Sequence, residues 1–255
     1  MKVMQIYGRP VALDRNVHKD IGIIQNTGIR FAEACQTALI AAAEMDHAAK
    51  DFPVVFTKEN DDYLPLAIFG LQQEQNLFVD AAGQWAGRYV PAFLRRYPFV
   101  PVLGPKEDDT MTVCIDEASS IVARGQGTPL FIDGKNSPLL DDAIRLLEDY
   151  KTQMDVTLAL IRQLNEAGLL SEKTVQFKLN DGQALNLTGF ATIDAEKLAQ
   201  LSSETVNKLF QSGALQLTFL HLSSLGNWDR LIELHAKRSI GTTQAAQVQQ
   251  PVEYA

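Results

Sequence analysis

Three groups of residues in this chain carry functional groups that chemistry can use. The first lies in the stretch 85–101 (WAGRYVPAFLRRYPFVP), where Trp85, Tyr89, Phe93 and Tyr97 are interleaved with Arg88, Arg95 and Arg96. Guanidinium forks bind carboxylates and phosphates through paired hydrogen bonds, and aromatic rings add flat packing area beside them. Arg88, Tyr89, Arg95, Arg96 and Tyr97 are therefore candidate ligand- or partner-binding residues, joined by Trp228 from the stretch Asn227-Trp228-Asp229-Arg230. Each has a structural alternative. In an acidic chain the arginines pair with internal carboxylates such as Asp80, Asp116 or Glu117, and Trp228 packs on the core.

The second group is Cys114 with Asp116 and Glu117. Strand alternation puts Cys114 and Asp116 on one face, which would suit an enzyme acting on a small or peptidic substrate. A thiol nucleophile needs a depressed pKa and a base, and no histidine is its near neighbour in sequence. One of His18, His47, His221 and His235 would have to approach in space. Buried, inert cysteine is the commoner outcome. The third group, Glu44-x-x-His47, places a carboxylate and an imidazole on one helix face, as di-iron bundles do twice over. Here the motif occurs once, and its plain reading is an exposed i,i+3 pair. No catalytic residue, metal or cofactor is assigned. Walker, dinucleotide and nucleophile-elbow motifs are missing from the sequence.

Composition narrows the partners. A net charge of −8 opposes non-specific nucleic-acid binding and adsorption to anionic membranes. No apolar run is long enough to span a bilayer. The start lacks a secretory h-region, and two distant cysteines fit a reducing compartment, so the expected location is cytoplasmic. Oligomeric state is left open.

These side chains must be held by a fold, and the pattern reads as α+β: mostly antiparallel strands, a long central helix and a buried apolar C-terminal helix. Phe31, Ala34, Cys35, Ala38, Leu39, Ala42, Met45 and Ala49 recur at helical spacing, predicting a helix over 31–50. Val54–Phe56, Tyr63–Leu71 and Leu77–Asp80 read as a three-strand meander. Pro91 opens a short helix ending before Pro98, and Gly87 and Pro91 prevent one continuous aromatic stripe. Met111–Ile115 and Leu130–Ile132 are further strands. Ser137-Pro138 is an N-cap followed by an N1 proline, opening a helix over 138–167 that Gly168 stops. Its heptad of Leu140, Leu147, Met154 and Ile161 favours packing within the chain over a coiled coil, with Thr157 interrupting the seam. Strands 174–179 and 183–187 flank a tight Asn180-Asp181-Gly182 turn, and Phe190–Asp194 extends that sheet. Helices follow at 195–201 and 204–212, then a final one over 215–237. One domain spans 1–238, with a lobe boundary conceivable at Ser137 (1–136 and 137–238), and 239–255 is a disordered tail.

Four segments carry a resemblance: AAEMDHAAKDFPVVF (42–56), PLAIFGLQQEQNLFVDAAGQWAGRYVPAFLRRYPFV (65–100), TVCIDEA (112–118) and SGALQLTFLHLSSLGNWDRLIELHAKR (212–238). In these the chain resembles the SapC family of bacterial proteins, named after a component of a surface-layer locus. The resemblance brings no catalytic residues with it. It implies a non-enzymatic binding or accessory protein that works with a separate enzyme (halogenase-like or oxygenase-like) or a peptide-like ligand. The family name also implies a self-assembling surface component, which would need export.

Overall fold

A computed structural model describes residues 6–25, 27–104, 110–178 and 184–248. In chain order the strands are β1 (Pro10–Ala12), β2 (Ile21–Ile23), β3 (Thr37–Leu39), β4 (Val54–Glu59), β5 (Asp62–Ile68), β6 (Phe99–Leu103), β7 (Met111–Asp116), β8 (Val122–Arg124), β9 (Thr128–Pro129), β10 (Phe131–Ile132), β11 (Lys135–Asn136), β12 (Leu170–Lys178) and β13 (Ala184–Ile193). The α-helices are α1 (Met45–Ala48), α2 (Ala92–Arg95), α3 (Pro138–Glu166), α4 (Ala195–Ala199), α5 (Ser203–Ser212), α6 (Ala214–Ser224) and α7 (Asn227–Val248). Among the described residues the largest sheet has the order β12-β13-β4-β5-β3, all antiparallel, and a smaller one runs β1-β7-β6. The fold is α+β, as the pattern predicts.

Helix α3 forms for the expected reasons. The Ser137 side chain accepts from the Leu140 amide, Pro138 opens the helix, and Gly168 takes a left-handed φ of 73° just beyond it. Its heptad face is buried inside the chain. Leu140 and Leu147 pack into the core under the smaller sheet, whereas Tyr150, Ile161 and Leu164 pack into the core of the large one. Each core therefore draws residues from both sides of Ser137. Thr157, the apparent seam breaker, is fully buried, and its hydroxyl accepts the Ala42 amide at 2.7 Å while donating to the Gln153 carbonyl.

Three expectations are corrected. The predicted helix over 31–50 is replaced by short helical turns at 30–32 and 42–48 that flank strand β3. Alanine's helix propensity is a weak prior. Here Thr37–Leu39 pairs with Leu66–Ile68, and both Thr37 and Ala38 are fully buried, so the segment shows no strand-like alternation. For the same reason β3 supplies the third strand beside β4 and β5. Leu77–Asp80 contributes only a bridge from Val79 to Trp85, because Asn76 and Asp80 hold it as turns through bonds to the Phe78, Ala82 and Gln84 amides. Finally, the apolar run over 215–237 divides at Leu225-Gly226 into α6, which puts Leu217, Thr218 and His221 into the core, and α7. Helix α7 continues to Val248, into the segment whose composition predicts disorder. The Asn180-Asp181-Gly182 turn lies outside the described residues.

Candidate functional site

The arginine segment is positioned by two buried carboxylates. Asp51, fully buried where the 45–52 turn ends, accepts the amides of Arg88 (2.6 Å) and Tyr89 (3.0 Å) through Oδ2. Its Oδ1 meets Arg230 Nη1 at 2.5 Å, so a guanidinium from α7 balances the buried charge. Asn227, one turn earlier, donates to the carbonyls of Ala49 and Phe52. Gly87 is required because a Cβ there would lie 2.6 Å from Trp85 Nε1 and 3.3 Å from Asp51 Oδ2. Trp85 in turn donates to the Tyr89 carbonyl and packs in a cluster with Phe52, Phe69 and Phe78.

Glu44 is the second anchor. It is buried, where the sequence predicts an exposed pair with His47. Oε1 accepts from Tyr89 Oη and from the Ala92 amide, both at 2.7 Å, and Oε2 accepts the Ala41 amide at 3.0 Å. The carboxylate thus caps the start of α2 and fixes the Tyr89 ring. That ring carries His47 stacked on it at 5.2 Å and Arg95 over it at 5.8 Å, with Arg95 Nη2 donating to the Tyr89 hydroxyl. Burial, helped by the bond and charge of Glu44, pushes the Tyr89 phenol up to about 12.

Arg95 and Arg88 are exposed, whereas Arg96 is buried at 8%. Arg96 projects to another side of α2, against the rings of Phe93 (4.4 Å), Tyr150 (4.9 Å) and Tyr7 (5.9 Å), and its Nε donates to Tyr7 Oη. Half-buried Tyr97 stacks between Phe31 (3.9 Å) and Tyr7 (5.7 Å). Among the described residues none of the three guanidinium groups meets a carboxylate. The carboxylates named as their internal partners are otherwise engaged: Asp80 holds its own turn, Asp116 accepts the Gly8 and Arg9 amides, and Glu117 pairs with Arg9 and His18. Trp228 stands apart, half-buried against Phe190 of β13 and tied to the segment through Arg230 two residues on.

The other candidates are not assembled into a site. Cys114 is buried, and its thiol pKa is raised by that burial, away from the thiolate a nucleophile needs. Among the described residues none of the four histidines meets Cys114: His18 bonds the Asp14 backbone and, at 3.2 Å, Glu117 of the same group, while His47 contacts Tyr89, His221 the Ile193 amide and His235 Gln75. Among the described residues no three of His, Cys, Asp and Glu converge as a metal site would need. A cleft of about 610 Å³ opens over the β4–β13 junction, lined by Lys58, Tyr63, Glu172 and Lys173, and none of the candidate residues lines it. No helix in the described residues is long and apolar enough to cross a membrane.

Sequence reading did not single out Asp51, Tyr7 or Tyr150, whose roles depend on contacts across 37 to 179 positions. The nearest signal was Asp51 itself, a charge beside Phe52-Pro53 in an apolar stretch. No curated protein and no solved structure matches the chain. The family model described as SapC matches residues 13–231, which takes in the two anchoring carboxylates, the whole arginine segment and Arg230, and the chain belongs to the SapC family.

Proposed function

We propose that this protein is a non-enzymatic recognition module that holds an acidic peptide-like segment of a partner against the face bearing Arg88, Tyr89 and Arg95. One observation carries this reading: in a chain of net charge −8, Arg88 and Arg95 stand exposed on a backbone segment fixed by buried anchors, yet meet no carboxylate among the described residues. Ordering a side chain has an entropic cost. The Glu44–Tyr89–Arg95 arrangement meets part of it in advance, as pre-organised binding sites do. An accessory role beside a separate enzyme follows from this reading together with the family.

The test is direct. Fluorescein-labelled hexaglutamate, titrated with the full chain and followed by anisotropy, is expected to bind saturably and to weaken with added salt. The Arg88→Ala/Arg95→Ala variant should bind at least about tenfold more weakly, since charge-assisted hydrogen bonds contribute about 1.5–3 kcal/mol each. Equal affinity for both proteins would refute the assignment.

A further inference from the structure

Beneath that face lies a second, separate feature. Among the described residues Arg96 is a buried cation without a carboxylate partner, and its side chain donates a hydrogen bond through Nε alone. A guanidinium carries five N–H donors, and its two outer nitrogens, which are not sealed from solvent, find no protein acceptor among the described residues. Beside it, Tyr150 is only 7% exposed, and its hydroxyl has no hydrogen-bond partner among the described residues. Burying a hydroxyl in this condition costs free energy, while ring contacts support the cation beside it. The unpartnered hydroxyl and the guanidinium, whose outer donors meet no protein acceptor, belong to groups packed 4.9 Å apart, cation to ring centre, and together make a site that lacks its acceptor.

We propose that Arg96 and Tyr150, with Tyr7, bind the carboxylate of a small aromatic acid. The guanidinium fork matches a planar carboxylate. The Tyr150 hydroxyl donates to it, and the rings of Phe93 and Tyr7 flank the guanidinium. Charge fixes the class. Glu44 and Asp116 stand near the tyrosines, each satisfied by backbone amides. With a single cation beside two carboxylates, a phosphate dianion is disfavoured more strongly than a monoanion. This inference goes beyond the acidic-peptide face, because Arg95 and Arg96 point to different sides of α2.

Benzoate is the probe, titrated into the full chain by calorimetry, with acetate and inorganic phosphate in parallel. Benzoate is expected to bind saturably and more tightly than either. Tyr150→Phe removes the unpartnered hydroxyl and keeps the ring, so its melting temperature should hold or rise while benzoate affinity falls about tenfold or more. Arg96→Lys, which retains the charge and loses the fork, should weaken benzoate similarly. Arg88→Ala/Arg95→Ala should leave it unchanged, which separates this site from the outer one. No saturable benzoate binding, preference for phosphate, or an unchanged affinity in Tyr150→Phe would each overturn the proposal.

Discussion

At the level of single residues, the polar groups divide into those that hold the fold and those left facing outward. Asp51 and Glu44 belong to the first kind. Asp51→Ala would strand Arg230 and two backbone amides, so a loss of about 3–5 kcal/mol is expected in urea unfolding. Glu44→Gln keeps the shape but weakens three bonds, at a cost of about 1–3 kcal/mol. It should also lower hexaglutamate affinity, because the Tyr89 ring that supports Arg95 loses its anchor. The gathering of arginines and tyrosines in one short stretch was legible from sequence. Their state was not. Whether Arg95 and Arg96 meet internal carboxylates depends on where Asp116 and Glu117 spend their bonds, and those go to Gly8, Arg9 and His18, about a hundred positions away.

The elements show why some of the architecture was readable. Helix α3 announced itself through local signals, a Ser-Pro start and a glycine stop, which operate regardless of tertiary context. Strand β3 did not, because alanine-rich Phe31–Lys50 has helical spacing and the decisive force is pairing with β5. The break between α6 and α7 also escaped notice, since Gly226 inside an apolar run is tolerated in many helices. Two tests belong here. Thr157→Val keeps the volume of α3's buried face but leaves the Ala42 amide without its acceptor, and should cost about 1–3 kcal/mol. Gly87→Ala forces a methyl toward Trp85 and Asp51 and should destabilise by a similar amount. If chemical denaturation finds either variant as stable as wild type, the corresponding contact is not holding its element in place.

Across the whole molecule, the two cores are stitched by helix α3, and the larger one holds a buried titratable group. His221 on α6 is fully buried, with Nε2 accepting the Ile193 amide, and burial lowers its pKa to about 3. The unfolded chain protonates this imidazole near pH 6.5 while the folded one stays neutral. Between about pH 6.5 and 3 the unfolded state therefore holds the extra proton, and stability falls as pH falls. From pH 6.5 to 5 the wild type should lose about 2 kcal/mol more than His221→Gln, read from urea midpoints at each pH. The central claim, however, concerns guanidinium groups that meet no carboxylate among the described residues of an acidic protein. It is tested most directly by following arginine side-chain NMR signals while hexaglutamate is added. Arg88 and Arg95 resonances should move first and saturate together, and those of the ion-paired Arg9, Arg162 and Arg230 should stay still. Uniform movement of all arginines, or none at Arg88 and Arg95, would contradict it.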